Sequence, residues 1–115
     1  MNADTIVFMD IPDAMTRLGN NKKLYAALLK KFDGKSMLDD LIGKIRSGDI
    51  SESAAQAHKI KGLAANLSLI DLKDKSENVE LRIKSGAYPD MDTSDIELSV
   101  ECTVAAVDDW IKLNT

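Results

Sequence analysis

"AHKIKGLAANL", residues 57–67, contains the only histidine of the chain. Counted at helical spacing, Ile60, Leu63, Ala64 and Leu67 fall on one side. At about 100° per residue, His58 points roughly 170° away from the centre of that stripe. Lys61, one turn further on, shares its patch of surface. Ser51, Ala54, Ala55, Gly62 and Ala65 occupy the same side. A solvent face would ordinarily carry Glu, Lys and Gln there. A glycine in a helix interior costs about 0.8–1 kcal/mol relative to alanine, so Gly62 calls for something that offsets the loss. Two readings stay open. In one, His58 is an ordinary surface histidine, Lys61 a solubilising charge and Gly62 a helix-packing contact. In the other, the small residues clear a path for a second macromolecule to reach the imidazole. An exposed imidazole is a neutral nucleophile near pH 7, and a neighbouring lysine can neutralise negative charge that arrives there. Nucleophile, cation and clearance together suit phosphoryl transfer to histidine.

Working outward, the helix that holds this stretch is expected over about residues 50–68. A short turn near 68–70 leads to a second helix, about 71–85, with Leu72, Ser76, Val79 and Ile83 on one stripe. A hairpin turning near residue 69 brings position 80 level with position 58, and Glu80 stands there. "SGAYPDMD", residues 85–92, reads as a loop punctuated by Gly86 and Pro89. A last helix over about 93–113 spaces Ile96, Val100, Val104, Val107 and Ile111 by three or four. Upstream, Pro12 suits a first helical turn and Gly19 a stop. Leu24, Tyr25, Leu28, Leu29 and Phe32 then mark a helix. "DGKS", residues 33–36, is a break, and Ser36 with Asp39 is a capping-box pattern that opens the next helix. Met37, Leu38, Leu41, Ile42 and Ile45 carry that helix to "SGD" at 47–49, and Asp49 with Glu52 starts another. The pattern contains no alternating strand run and no repeat. The expected fold is all-α: an antiparallel four-helix bundle with additional short N-terminal helices, forming a single domain over residues 1–115.

The 115 residues, 44% hydrophobic and 30% charged, suit one soluble core. With a net charge of −4 and basic residues interleaved with acidic ones, a nucleic-acid partner is not expected. One cysteine, Cys102, allows no intrachain disulfide and reads as a small half-buried helix residue in a reducing compartment. The N-terminal "IVFM" is far shorter than a membrane span or the apolar stretch of a signal peptide. The expected location is therefore the cytoplasm, either as a free-standing protein or as the cytoplasmic tail of a membrane sensor kinase, with no membrane contact by this segment.

"AHKIKGLAANLSLIDL", residues 57–72, resembles the signature of histidine-containing phosphotransfer domains: His, two residues, Lys-Gly, one residue, a small residue, then an apolar residue followed by Gly or another small one. The matching positions are His58, Lys61, Gly62, Ala64, Leu67 and Ser68. "MDIPDAMTRLGNNKKLYAALLKKF", residues 9–32, is similar to the N-terminal stretch of that family, with its Leu-Gly and Leu-Tyr in the usual order. The resemblance implies a phosphorelay intermediate. His58 would accept a phosphoryl group through Nε2 from an aspartyl phosphate on a response-regulator receiver domain and pass it to another receiver. Lys61 would sit by the phosphoryl oxygens and Gly62 would keep the approach open. Glu80 would orient the imidazole through its other nitrogen, Lys84 would add charge to the same patch, and Ala54, Ala55 and Ala65 would belong to the docking face. The chain would bring no cofactor and no metal of its own, Mg²⁺ being supplied by the receiver. It would have no autonomous kinase activity, although it could belong to a hybrid sensor kinase. Two positions depart from the family pattern. Ser68 replaces the usual glycine, which implies a slight change in the turn, and Lys59 is charged where many members are not.

Four other readings compete. The chain could be a receiver-binding adaptor that carries no phosphate, or the phosphoacceptor domain of a chemotaxis-type histidine kinase. It could also be a plain structural bundle, or a carboxylate-bridged metal bundle. The last needs Glu-x-x-His pairs on facing helices, and the single histidine here is not part of one.

Overall fold

Four helices of this chain begin in the same way, with an Asp or Asn side-chain oxygen accepting the backbone N–H three residues on. Asp10 takes Asp13 N–H at 3.1 Å, Asn21 takes Leu24 at 2.9 Å, Asp33 takes Ser36 at 3.1 Å and Asp49 takes Glu52 at 2.9 Å. Each satisfies a donor that the first helical turn would otherwise leave without a partner. The structure, a computed structural model, describes residues 8–86 and 90–115. Among these residues it is all-helical: α1 (Ile11–Arg17), α2 (Lys22–Lys30), α3 (Gly34–Ser47), α4 (Ile50–Asn66), α5 (Ile70–Lys84) and α6 (Ser94–Asn114). Ile6, Val7 and Pro89, read above as part of an apolar start and of a loop, lie outside the described residues.

The start of α3 corrects the expectation. Asp33, not Ser36, is its cap, so "DGKS" is a cap and first turn and not a break. Gly34 is buried in that turn, and a Cβ built there would lie 2.8 Å from the Phe32 ring and 3.2 Å from a Val104 methyl of α6. The glycine is a close contact between elements.

Antiparallel α4 and α5 form a hairpin through Leu67, Ser68 and Leu69. Ser68 adopts φ 57°, the left-handed region that favours glycine. Such a conformation costs a non-glycine residue roughly 1–2 kcal/mol, and the turn supplies compensation. Ser68 Oγ donates to Asp13 Oδ2 at 2.7 Å, and the Ser68 carbonyl accepts Asp10 N–H at 2.9 Å. The change of turn expected from replacing glycine is thus absorbed by a clamp to the N-terminal segment. Arg17 extends the clamp by donating to the Ala65 carbonyl and to Asn66 Oδ1.

The core assigns the faces. In α5, Leu72, Ser76, Val79 and Ile83 are buried as the period indicated. In α2 the buried face is Tyr25, Ala26 and Leu29, while Leu24 is exposed and Leu28 and Phe32 are half-buried. In α6, Ile96, Val100 and Val107 are buried, Val104 and Ile111 half-buried, and two unexpected residues, Ser99 and Thr103, join the core. Helix α4 packs on α3 and α5, and α6 packs on α5, α3 and α2. Tyr25 ties α2 to α6 and to the turn between α4 and α5. Its ring meets Trp110 of α6 edge-on at 4.9 Å, and its hydroxyl donates to the Leu67 carbonyl at 2.7 Å. Burial, aided by the charges of Asp10 and Asp13, pushes the Tyr25 phenol up to about 12. No described helix is long and apolar enough to cross a membrane.

Candidate functional site

The hairpin register decides which side chains meet. Lys61 and Glu77 each lie eight residues from Leu69, and His58 and Glu80 each lie eleven. Because α4 and α5 are antiparallel, each pair faces across the seam. His58 Nδ1 is 3.4 Å from Glu80 Oε1, and Lys61 Nζ is 3.6 Å from Glu77 Oε1. One helical turn along α5, Lys84 Nζ donates to Glu80 Oε2 at 3.0 Å.

His58 is on the exterior, its side chain 69% exposed. That it still reaches Glu80 follows from how α4 divides its contacts. The buried set Ser53, Gln56, Ala57, Ile60, Ala64 and Leu67 serves two neighbours, with Gln56 donating to the Met37 carbonyl of α3 at 3.3 Å. Leu63, counted above as core, is only half-buried. The α5 seam runs along the Lys61 flank, about 60° from His58 on the helical wheel. A glutamate reaching out from that seam can span the gap. Nε2 makes no hydrogen bond or ion pair among the described residues, so the ring gives one nitrogen to a carboxylate and leaves the other without a polar partner.

Glu80 is buried, its side chain only 11% exposed. Burial alone would raise its pKa. Lys84 first and His58 second outweigh burial and hold the carboxyl below the ordinary glutamate range. Glu80 is therefore a fixed negative charge with one oxygen on the imidazole and one on an ammonium.

Gly62 stands on the exposed side, and a Cβ built there would meet nothing within 4 Å. It is not a helix-packing contact, which removes that reading of the glycine. The proposed docking alanines separate. Ala55 is exposed. Ala54 is partly buried against the core, and Ala65 is half-buried with its carbonyl engaged by Arg17. The open face at His58 thus consists of Ser51, Ala55 and Gly62, with Ala54 and Ala65 at its edge. Lys59 is exposed, and Cys102 is a half-buried free thiol on α6.

Sequence reasoning missed Glu77. Its signal was available, since the same mirror about residue 69 that pairs 58 with 80 pairs 61 with 77. Elsewhere, an open groove of about 410 Å³ between α3 and α6 is floored by Leu38, Ile42, Val100 and Val104, and none of the His58 group lines it. Among the described residues, no three His, Cys, Asp or Glu side chains gather in a way that could hold a metal ion. Compared with known proteins, the chain matches no family model, no curated protein and no solved structure.

Proposed function

We propose that this chain is a histidine-containing phosphotransfer domain, a phosphorelay intermediate that carries a phosphoryl group on His58 between response-regulator receiver domains. The observation that carries the reading is an exposed imidazole whose Nδ1 faces the buried carboxylate of Glu80 while Nε2 is left open beside Gly62. The resemblance of residues 57–72 to the family signature adds to it. The cycle of contacts α3 to α4 to α5 to α6 and back to α3 supports an antiparallel four-helix bundle over the single domain, with α1 and α2 as the added short helices.

In the proposed step, the Nε2 lone pair forms an N–P bond as the P–O bond to the donor aspartate breaks. The aspartate leaves as a carboxylate with the bonding pair. The ring keeps its Nδ1 proton and becomes positively charged, directly toward Glu80. A carboxylate there fixes the tautomer before transfer and stabilises the charge that develops during it. The 3.4 Å separation is long for a hydrogen bond, as is common before a partner closes over a site. Lys61 contributes positive charge to the phosphoryl oxygens. The receiver brings the Mg²⁺ and the acidic pocket, in the cytoplasm, so the domain acts as carrier and not as a stand-alone enzyme.

Receiver domains charged with radiolabelled acetyl phosphate test this. They are expected to transfer label to the domain as an acid-labile, base-stable phosphate on His58. His58→Gln is expected to abolish the label with helicity unchanged, and ATP alone to give none. A His58→Gln protein that still takes up phosphate would falsify the assignment.

A further inference from the structure

Lys61 is not a free cation waiting for phosphate. Its ammonium lies 3.6 Å from Glu77, and its side chain is only 29% exposed against the α5 seam. The neighbouring carboxylate cannot take over this duty, because Glu80 already has one oxygen on His58 and the other on Lys84. The four charged groups along this seam sort into two ion pairs, Lys61 with Glu77 and Lys84 with Glu80. A phosphoryl group on Nε2 adds close to two negative charges at the outer end of this row.

We infer that Glu77 is a positioning residue that competes with the phosphoryl group for Lys61 and so keeps the domain from holding phosphate too firmly. The inference rests on the phosphotransfer reading above. Before transfer, the carboxylate holds the ammonium beside His58, one turn along α4. After transfer, the more highly charged phosphoryl group draws the ammonium away by side-chain rotation alone, with no bond made or broken. Glu77 is then left without its partner. That loss raises the free energy of the phosphorylated state relative to the unphosphorylated one. The effect favours onward transfer, as a carrier requires.

The measurement is the equilibrium ratio of phosphohistidine to phosphorylated receiver, read after acetyl phosphate is removed. It is made for the wild type, Glu77→Gln, Lys61→Ala and the double variant, with helicity and melting temperature followed in parallel. Glu77→Gln is expected to move the ratio toward phosphohistidine by about two- to five-fold, the size of a partly exposed ion pair. The same substitution is expected to change nothing in the Lys61→Ala background. Glu77→Asp, which keeps the charge on a shorter arm, is expected to restore most of the wild-type ratio, and Glu77→Ala serves in place of the glutamine variant should that fold poorly. An unchanged ratio for Glu77→Gln, or an equal shift with Lys61 absent, overturns the inference while leaving the relay reading intact. Wild-type protein that takes no label on His58 from any charged receiver overturns the relay reading instead.

Discussion

At position 62 a hydrogen atom stands where a side chain would be tolerated by everything in its own chain. That separates folding from docking at a single residue. Gly62→Ala is expected to raise stability by roughly 0.5–1 kcal/mol, since it adds helix propensity and meets open space. Gly62→Gln is expected to be at least as stable as the parent by urea unfolding and yet to slow transfer from a charged receiver. Normal transfer rates in the glutamine variant would show that clearance is not what the glycine supplies. The histidine, the lysine and the glycine were all legible in the sequence, because their strangeness is local: a helix face with almost no side chains around one imidazole. Glu80 was legible through a second step, the length of the turn. Glu77 escaped notice because a glutamate on a solvent-facing helix position is unremarkable until its opposite number is known. Ser68 by itself reads as a small turn residue. Its left-handed backbone and its bond to Asp13, 55 residues away in the chain, depend on tertiary contacts that no local pattern encodes.

Helix by helix, hydrophobic spacing identified the elements and misjudged some of their faces. Helix α5 is legible, since its buried side is marked by Leu72, Val79 and Ile83, three large aliphatics at helical intervals. The buried face of helix α4 is less legible, because Ser53, Gln56 and Ala57 do not look like core residues, although their burial helps define it. Helix α6 hides the largest anomaly. Ser99 and Thr103, one turn apart, are buried with hydroxyls that have no hydrogen-bond partner among the described residues. A buried hydroxyl without a partner costs on the order of 1–3 kcal/mol. Thr103→Val keeps the branched shape and removes the polar atom, so it is expected to stabilise the domain by about 1 kcal/mol. A rise in the urea midpoint at unchanged slope would register this, and a fall would mean that the hydroxyl is satisfied in solution. The start of α3 was misplaced for a different reason. Asp33 and Ser36 are both of a type that caps helices, and the Asp33 side chain accepting Ser36 N–H shows that Asp33 is the one outside the helix.

Across the molecule, the two N-terminal helices are not an appendage. Tyr25 is fully buried, packs on Trp110 near the end of α6 and donates to the carbonyl of Leu67 at the hairpin turn. Asp10, Asp13 and Arg17 hold the same stretch of chain as well. Tyr25→Phe leaves the ring packing in place and strands a carbonyl, so a loss of about 1–2 kcal/mol is expected. The loss is expected to be accompanied by faster amide hydrogen exchange at residues 67–69, which a purely local effect on α2 would not produce. That the chain folds as a set of helices around one core was readable from spacing alone. That residues 10–25 brace the end of the hairpin is not, because most of the bracing uses backbone carbonyls, which every residue possesses equally.

The three-residue connection between α4 and α5 acts as a ruler. Every partner of the imidazole and of the lysine is chosen by how many positions separate it from that corner, and α5 advances about 1.5 Å and turns about 100° with each residue. One residue inserted in the corner would leave the composition of both helices untouched. It would nevertheless carry Glu77 and Glu80 off the line that Lys61 and His58 share. The reactive arrangement is thus a matter of spacing as much as of side-chain identity, and the strained serine and its N-terminal clamp are what keep the measure true.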